Sequence, residues 1–213
     1  DELEQAIRRS IHTINGSQLS DAAKRFGQFW FKQQPILTER FFLDLLNETI
    51  PSNQDEIKNS AYNRGIPYSD RIRVQPLLIS VQRWRQSVSL QDEKVIEYGL
   101  KNIAEEILTV EDDFAYFFHL RRGTMLGLLL PGNSDSGDWD NNSLKEKCNR
   151  MITVSNDFFK CDLSCYIGSS VRVNEFTLTV NELLTLQRAN EELFNKVFVL
   201  NEQPATYETY KMI

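Results

Sequence analysis

The sequence predicts an α+β protein: a helical N-terminal arm over residues 1–70, a ferredoxin-like βαββαβ sandwich over 71–200, and a tail or linker over 201–213. Three observations carry this. Apolar residues recur at helical spacing through the first 70 positions, strand-like alternation takes over from Val74, and strand and helix patterns then follow in the order of two interleaved βαβ units.

In the arm, Leu3, Ile7, Ile11 and Ile14 lie on one helical face; Gly16 interrupts, and Leu19, Ala22, Ala23, Phe26 and Trp30 continue the stripe to Pro35. A stripe of this length needs a partner surface. Leu3, Ile7, Ile11, Ile14, Leu19, Phe26 and Trp30 are therefore the expected dimer interface, with folding back onto the same chain as the alternative. The aromatic run Phe26, Phe29, Trp30 and Phe31 reads as interface in preference to a ligand platform. Leu37, Phe41, Phe42, Leu45 and Leu46 mark a short amphipathic helix, and Ser52 with Asp55 signals the start of another that ends near Gly65.

In the sandwich, Val74–Gln82 reads as a strand and Leu90–Leu108 as a helix capped by Ser89, with Ile96, Leu100, Ile103, Ala104 and Ile107 on its inner side. Phe114–Leu120 and Thr124–Leu130 form a hairpin joined at Arg121–Gly123. Ser143 with Glu146 signals a helix bearing Leu144, Cys148, Met151, Ile152 and Phe159; it leads into the strand Cys161–Ile167. A last helix is expected from about Val180 to Val197. Between hairpin and helix, Gly132–Asn142 is rich in turn-forming residues and reads as an exposed loop.

Composition excludes several function classes. With 24 basic and 30 acidic residues the net charge is -6, which argues against a broad nucleic-acid-binding face. No apolar run approaches the roughly 20 residues that span a bilayer, and no signal peptide is read, so a cytoplasmic location is expected. Cys148, Cys161 and Cys165 form no CxxC pair and only two histidines accompany them, so neither a disulfide framework nor a zinc site is expected. Cys161 and Cys165 share a strand face with Leu163 and Ile167 and read as small core residues. Asp138, Asp140 and Asn142 have the 1, 3, 5 spacing of a calcium loop, but Ser143 and Asn149 stand where its glycine and bidentate glutamate belong. They read as a solvated acidic loop. His12 and His119 have no serine or cysteine nucleophile beside them in sequence and read as structural.

His119–Pro131, HLRRGTMLGLLLP, resembles the hairpin of the GGDEF family of nucleotidyl cyclases, roughly R-L-G-G-D-E-F-A-I-L-L-P, with Arg122, Gly123, Thr124, Met125 and Leu126 against the five signature residues. Ser80-Val81-Gln82-Arg83-Trp84-Arg85 is similar to the family's D-I-D-x-F-K strand end, Cys165-Tyr166-Ile167-Gly168 to its S-I-G, and Arg188–Lys196 to its R-A-D-x-A-L-Y-x-A-K helix. The resemblance covers about 130 residues. It implies a cyclase-like fold whose chemistry has been removed: Ser80, Gln82, Thr124 and Met125 stand where carboxylates would hold a metal facing a triphosphate. The regulatory R-x-x-D motif falls at Asp113–Tyr116, which reads D-F-A-Y. Arg121 and Arg122 suit an anion, but turn arginines are more often solvated.

With its leader, where Arg40-Phe41-Phe42-Leu43-Asp44-Leu45-Leu46 is similar to R-F-L-x-D-L-L, the chain resembles the central region of two-component response regulators of the AraC type. That resemblance implies a receiver before this region, phosphorylated through a sensor histidine kinase, and a helix-turn-helix DNA-binding domain after it. The expected function is a non-catalytic, homodimeric relay that touches DNA only through the outer domain, with no cofactor, metal or membrane contact. A diguanylate cyclase-like enzyme, or a nucleotide or small-ligand sensor using the same cleft, is the alternative.

Overall fold

The computed structural model describes residues 35–66, 68–109, 114–130 and 140–202. Helices α1 (Pro35–Leu46) and α2 (Gln54–Asn63) lead into β1 (Arg73–Trp84), α3 (Leu90–Leu108), β2 (Phe114–Arg121), β3 (Thr124–Leu130), α4 (Asn141–Phe159) and β4 (Cys161–Ile167). The short β5 (Val171–Arg172), a 3-10 turn, α5 (Phe176–Ala189) and β6 (Val197–Val199) follow. Neighbouring strands run β2-β3-β1-β4-β6; β5 pairs with the start of β1. All these pairings are antiparallel except β4 with β6. The protein is thus a mixed α+β fold, and its β1-α3-β2-β3-α4-β4 core is the ferredoxin-like arrangement, compatible with a cyclase-like domain.

Helices cover both faces of the sheet, which is why β3 and β4 are buried along their whole length and why β3 reads as a near-continuous apolar run. On one face, Leu77, Ile79, Phe117, Met125, Leu163 and Cys165 pack against Leu100, Ala104, Leu144 and Met151 of α3 and α4. On the other, Leu78, Phe118, Leu126 and Tyr166 pack against Phe41, Phe42 and Leu45 of α1, Ile57 and Ala61 of α2, and Phe176, Val180 and Leu183 of α5. The rings of Phe42 and Phe176 meet edge to face at 4.8 Å. Apolar residues of 35–66, a stretch assigned from sequence to the arm, thus pack in one cluster with residues of the sheet. Asp44, 5% exposed, fixes the α1–α2 connection by pairing with Arg40 at 3.0 Å and Arg64 at 2.8 Å. The stripe Leu3, Ile7, Ile11, Ile14, Leu19, Phe26 and Trp30, and His12, lie outside the described residues.

Three local expectations need correction. The cap of α2 is Asn53 and not Ser52: its side chain accepts the N–H of Glu56 at 2.9 Å. The cap of α4 is Asp140 and not Ser143, with the N–H groups of Asn142 and Ser143 at 3.1 and 3.2 Å. The last helix runs Phe176–Ala189 and not Val180–Val197. Leu193 and Phe194 continue the helical spacing, yet Leu193 is half-exposed and Asn195 takes a left-handed φ of 57°, which turns the chain so that Val197–Val199 adds a parallel strand to β4.

Candidate functional site

The hairpin turn and the end of β1 come together as the resemblance requires. Arg122 and Gly123 form the turn, with Gly123 at φ +67°, a conformation only glycine takes without strain. A Cβ there would also stand 3.3 Å from the carbonyl oxygen of Val81, because the Val81 N–H donates to the Gly123 carbonyl at 2.7 Å. That bond draws the hairpin tip over β1 and sets Ser80 opposite Thr124.

Ser80, Gln82 and Thr124 lie on the sheet face covered by α5, where β4 contributes Ser164 and Tyr166. Ser80, Gln82, Ser164 and Tyr166 are all tied into side-chain hydrogen bonds. Gln187 of α5 donates to Ser80 Oγ at 2.7 Å and accepts from Arg121 Nη2 at 2.8 Å. The Gln82 side chain accepts from Ser164 Oγ at 2.7 Å and donates to the Tyr166 hydroxyl at 3.3 Å. Burial pushes the Tyr166 phenol up to about 12, so it stays protonated near neutrality. Met125 points through the sheet into the α3–α4 core, and Leu126 points into the opposite one. Two of the signature positions are thus core residues, as the alternation of a strand covered on both faces demands.

Helix α3 closes the site from the other side. Arg122 reaches Glu93 with Nε at 2.8 and 3.0 Å from the two carboxylate oxygens and Nη2 at 2.6 Å from Oε2. The hydrogen bonds from Arg122 hold the Glu93 carboxyl below its usual range. One turn later, Glu97 Oε1 accepts the N–H of Gly123 at 2.7 Å, and its Oε2 lies 4.0 Å from His119 Nδ1. An arginine fork and a turn N–H are the donors an incoming anion would use, and here carboxylates of the same chain fill both.

A second polar cluster surrounds Asp162, fully buried on β4. Arg85 binds its Oδ1 through Nε at 2.9 Å and Nη2 at 2.6 Å, Arg83 Nε binds Oδ2 at 2.6 Å, and Asn195 Nδ2 binds Oδ1 at 2.9 Å. Burial would raise this carboxyl, but the hydrogen bonds from Arg85, Asn195 and Arg83 outweigh it and hold it at about 2. A register shift between Val81 and Arg83 brings the arginines to it, and the Arg83 guanidinium also caps the Phe194 ring at 4.6 Å.

Other candidates resolve simply. Asp140 spends its carboxylate on the α4 cap and Asp138 lies outside the described residues; among the described residues no group of histidine, cysteine and acidic side chains is placed to hold a metal. Cys148, Cys161 and Cys165 are buried and free, and Cys161 and Cys165 are core residues on one strand face as expected. In the D-F-A-Y segment Asp113 lies outside the described residues, and Phe114 and Tyr116 are buried. Arg188–Lys196 leaves helical structure after Ala189.

Sequence reasoning missed Glu93, Glu97, Gln187 and Asp162. Glu93 and Glu97 are four apart on one helix flank, a pattern shared by countless solvated faces, and nothing local says that a hairpin tip lies above them. Asp162 did carry a signal, since an acid inside an apolar strand needs a partner, and Arg83 and Arg85 stand at the end of another strand. Compared with known proteins, the chain matches no family model and no curated sequence.

Proposed function

We propose that the chain is a non-catalytic signal-relay and self-association module of a two-component transcriptional response regulator, coupling a receiver to a helix-turn-helix DNA-binding domain, both outside this chain. The observation that carries the non-catalytic part is the closed hairpin site. Ser80 and Gln82 are committed to Gln187, Ser164 and Tyr166, and the turn donors of Arg122 and Gly123 are held by Glu93 and Glu97. Metal-assisted phosphoryl chemistry needs carboxylates at such a strand end and turn, with the donors open to phosphate. The relay and dimer parts rest on the resemblance of the leader and on the apolar stripe Leu3 to Trp30.

The test is incubation with GTP and magnesium or manganese, followed by mass spectrometry of products and of nucleotide retained on the purified protein. The expected outcome is no cyclic product and no retained nucleotide. Cyclic product would establish the cyclase alternative, and stoichiometric nucleotide without turnover would establish a ligand sensor.

A further inference from the structure

A cleft of about 550 Å³ runs along the outer edge of β2, walled by Tyr98, Lys101 and Glu105 of α3, by Ala115 and Tyr116 of β2, and by Pro35 at the start of α1. Its charges are already paired. The Lys101 ammonium lies 4.8 Å above the Tyr116 ring and 3.9 Å from Glu105, whose carboxyl burial pushes up. Beyond that pair the cleft presents the ring of Tyr98, 65% exposed, with Pro35 and Ala115; outside the cleft, Val95, one helical turn before Tyr98, and Ile36, beside Pro35, are exposed as well. Such a surface suits aromatic side chains better than an ion.

We propose that this cleft seats the aromatic segment Phe26–Phe31 of the same chain. The chain enters α1 at Pro35, itself a wall of the cleft, and only Lys32, Gln33 and Gln34 separate it from Phe31. Four extended steps reach about 14 Å, enough to lay Phe31 or Trp30 beside Tyr98 of its own chain and too short to carry it far from there. Four of the six residues Phe26–Phe31 are aromatic. Tethering presents them to the cleft at an effective concentration in the millimolar range, well above that of any second copy at ordinary protein concentrations. The assignment goes beyond the relay reading and does not depend on it; it leaves Leu3 to Leu19 as the part of the stripe available for pairing chains.

The experiment uses the full chain with Phe29→Cys combined with Asn102→Cys, an exposed position in the cleft wall, or with Glu182→Cys, an exposed position on α5 across the sheet. The three native thiols are buried, so mild oxidation with diamide reports the introduced pair. An intrachain disulfide between positions 29 and 102 should form at least tenfold faster than between 29 and 182, and Tyr98→Asp should slow it at least tenfold. Equal rates for the two pairs, no disulfide, a disulfide formed mainly between chains, or indifference to Tyr98→Asp would each overturn the proposal. The oligomeric state of the unmodified chain, read by light scattering, tests the relay reading separately.

Discussion

Replacing Asp162 by asparagine tests the cluster that ties β1 to β4 and to the turn before β6. The side chain keeps its shape and loses its charge, leaving Arg83 and Arg85 facing a neutral amide. The carboxyl sits at about 2 in the folded protein against an ordinary 3.8. Each tenfold change in proton affinity is worth about 1.4 kcal/mol, so the difference corresponds to roughly 2.5 kcal/mol. Arg83 and Arg85 are 57% and 44% exposed, and solvent screens their attraction, so we expect about 1 to 2 kcal/mol at pH 7. Because the folded value is depressed, this stabilisation is present above about pH 5 and is lost as pH falls through 4 towards 2, where the folded carboxyl also takes up its proton. Urea unfolding of wild type and Asp162→Asn at a series of pH values measures it. With a slope of about 2 kcal/mol/M the midpoints should differ by about 0.5 to 1 M at pH 7, and the gap should narrow to about a third of that by pH 2.5 and close only below about pH 2. A difference that stays constant over that range would overturn this account, since it would mean that the charge contributes nothing and only the shape of the site matters.

Packing, thiol chemistry and assembly offer further tests. Phe42→Ala removes a fully buried ring from the α1–α5 contact and should cost about 3 to 5 kcal/mol; if α1 shares the core of the sheet, denaturation followed by circular dichroism and by tryptophan fluorescence will give one coincident transition, whereas a separate early step would show α1 to be an independent unit. Burial pushes the Cys161 thiol up to about 11, and the hydrogen bond with Cys148, followed by burial, raises Cys165 well above its ordinary value, so a thiol reagent at pH 8 should find no reactive cysteine until urea unfolds the chain. Light scattering should give a dimer that Ile7→Asp with Ile11→Asp converts to a folded monomer. A wild-type monomer that unfolds on the same substitutions would make the stripe internal core.

Most of the elements are written in the local sequence. Ser89 before an apolar helical stripe, glycine at a two-residue turn between apolar runs, and the alternation of Cys161 to Ile167 are signals read from neighbours a few residues apart, and the structure keeps the elements they mark. That Thr124 and Met125 bring no carboxylate to the hairpin is likewise a matter of residue identity alone. What depends on residues distant in the chain had to wait for the fold. That Glu93 and Glu97 grip the turn 26 to 29 residues later, and that Gln187 reaches back 107 residues to Ser80, follows from packing α3 and α5 against the sheet, which no local period encodes. The same reason explains the misjudged end of the last helix: the spacing of Leu193 and Phe194 continues a helix, and the competing claim of an open sheet edge on Val197–Val199 exists only once β4 is in place. Strand pairing and buried charge networks are cooperative, non-local choices, so the chain announces which residues are available for them and the fold decides which of them meet.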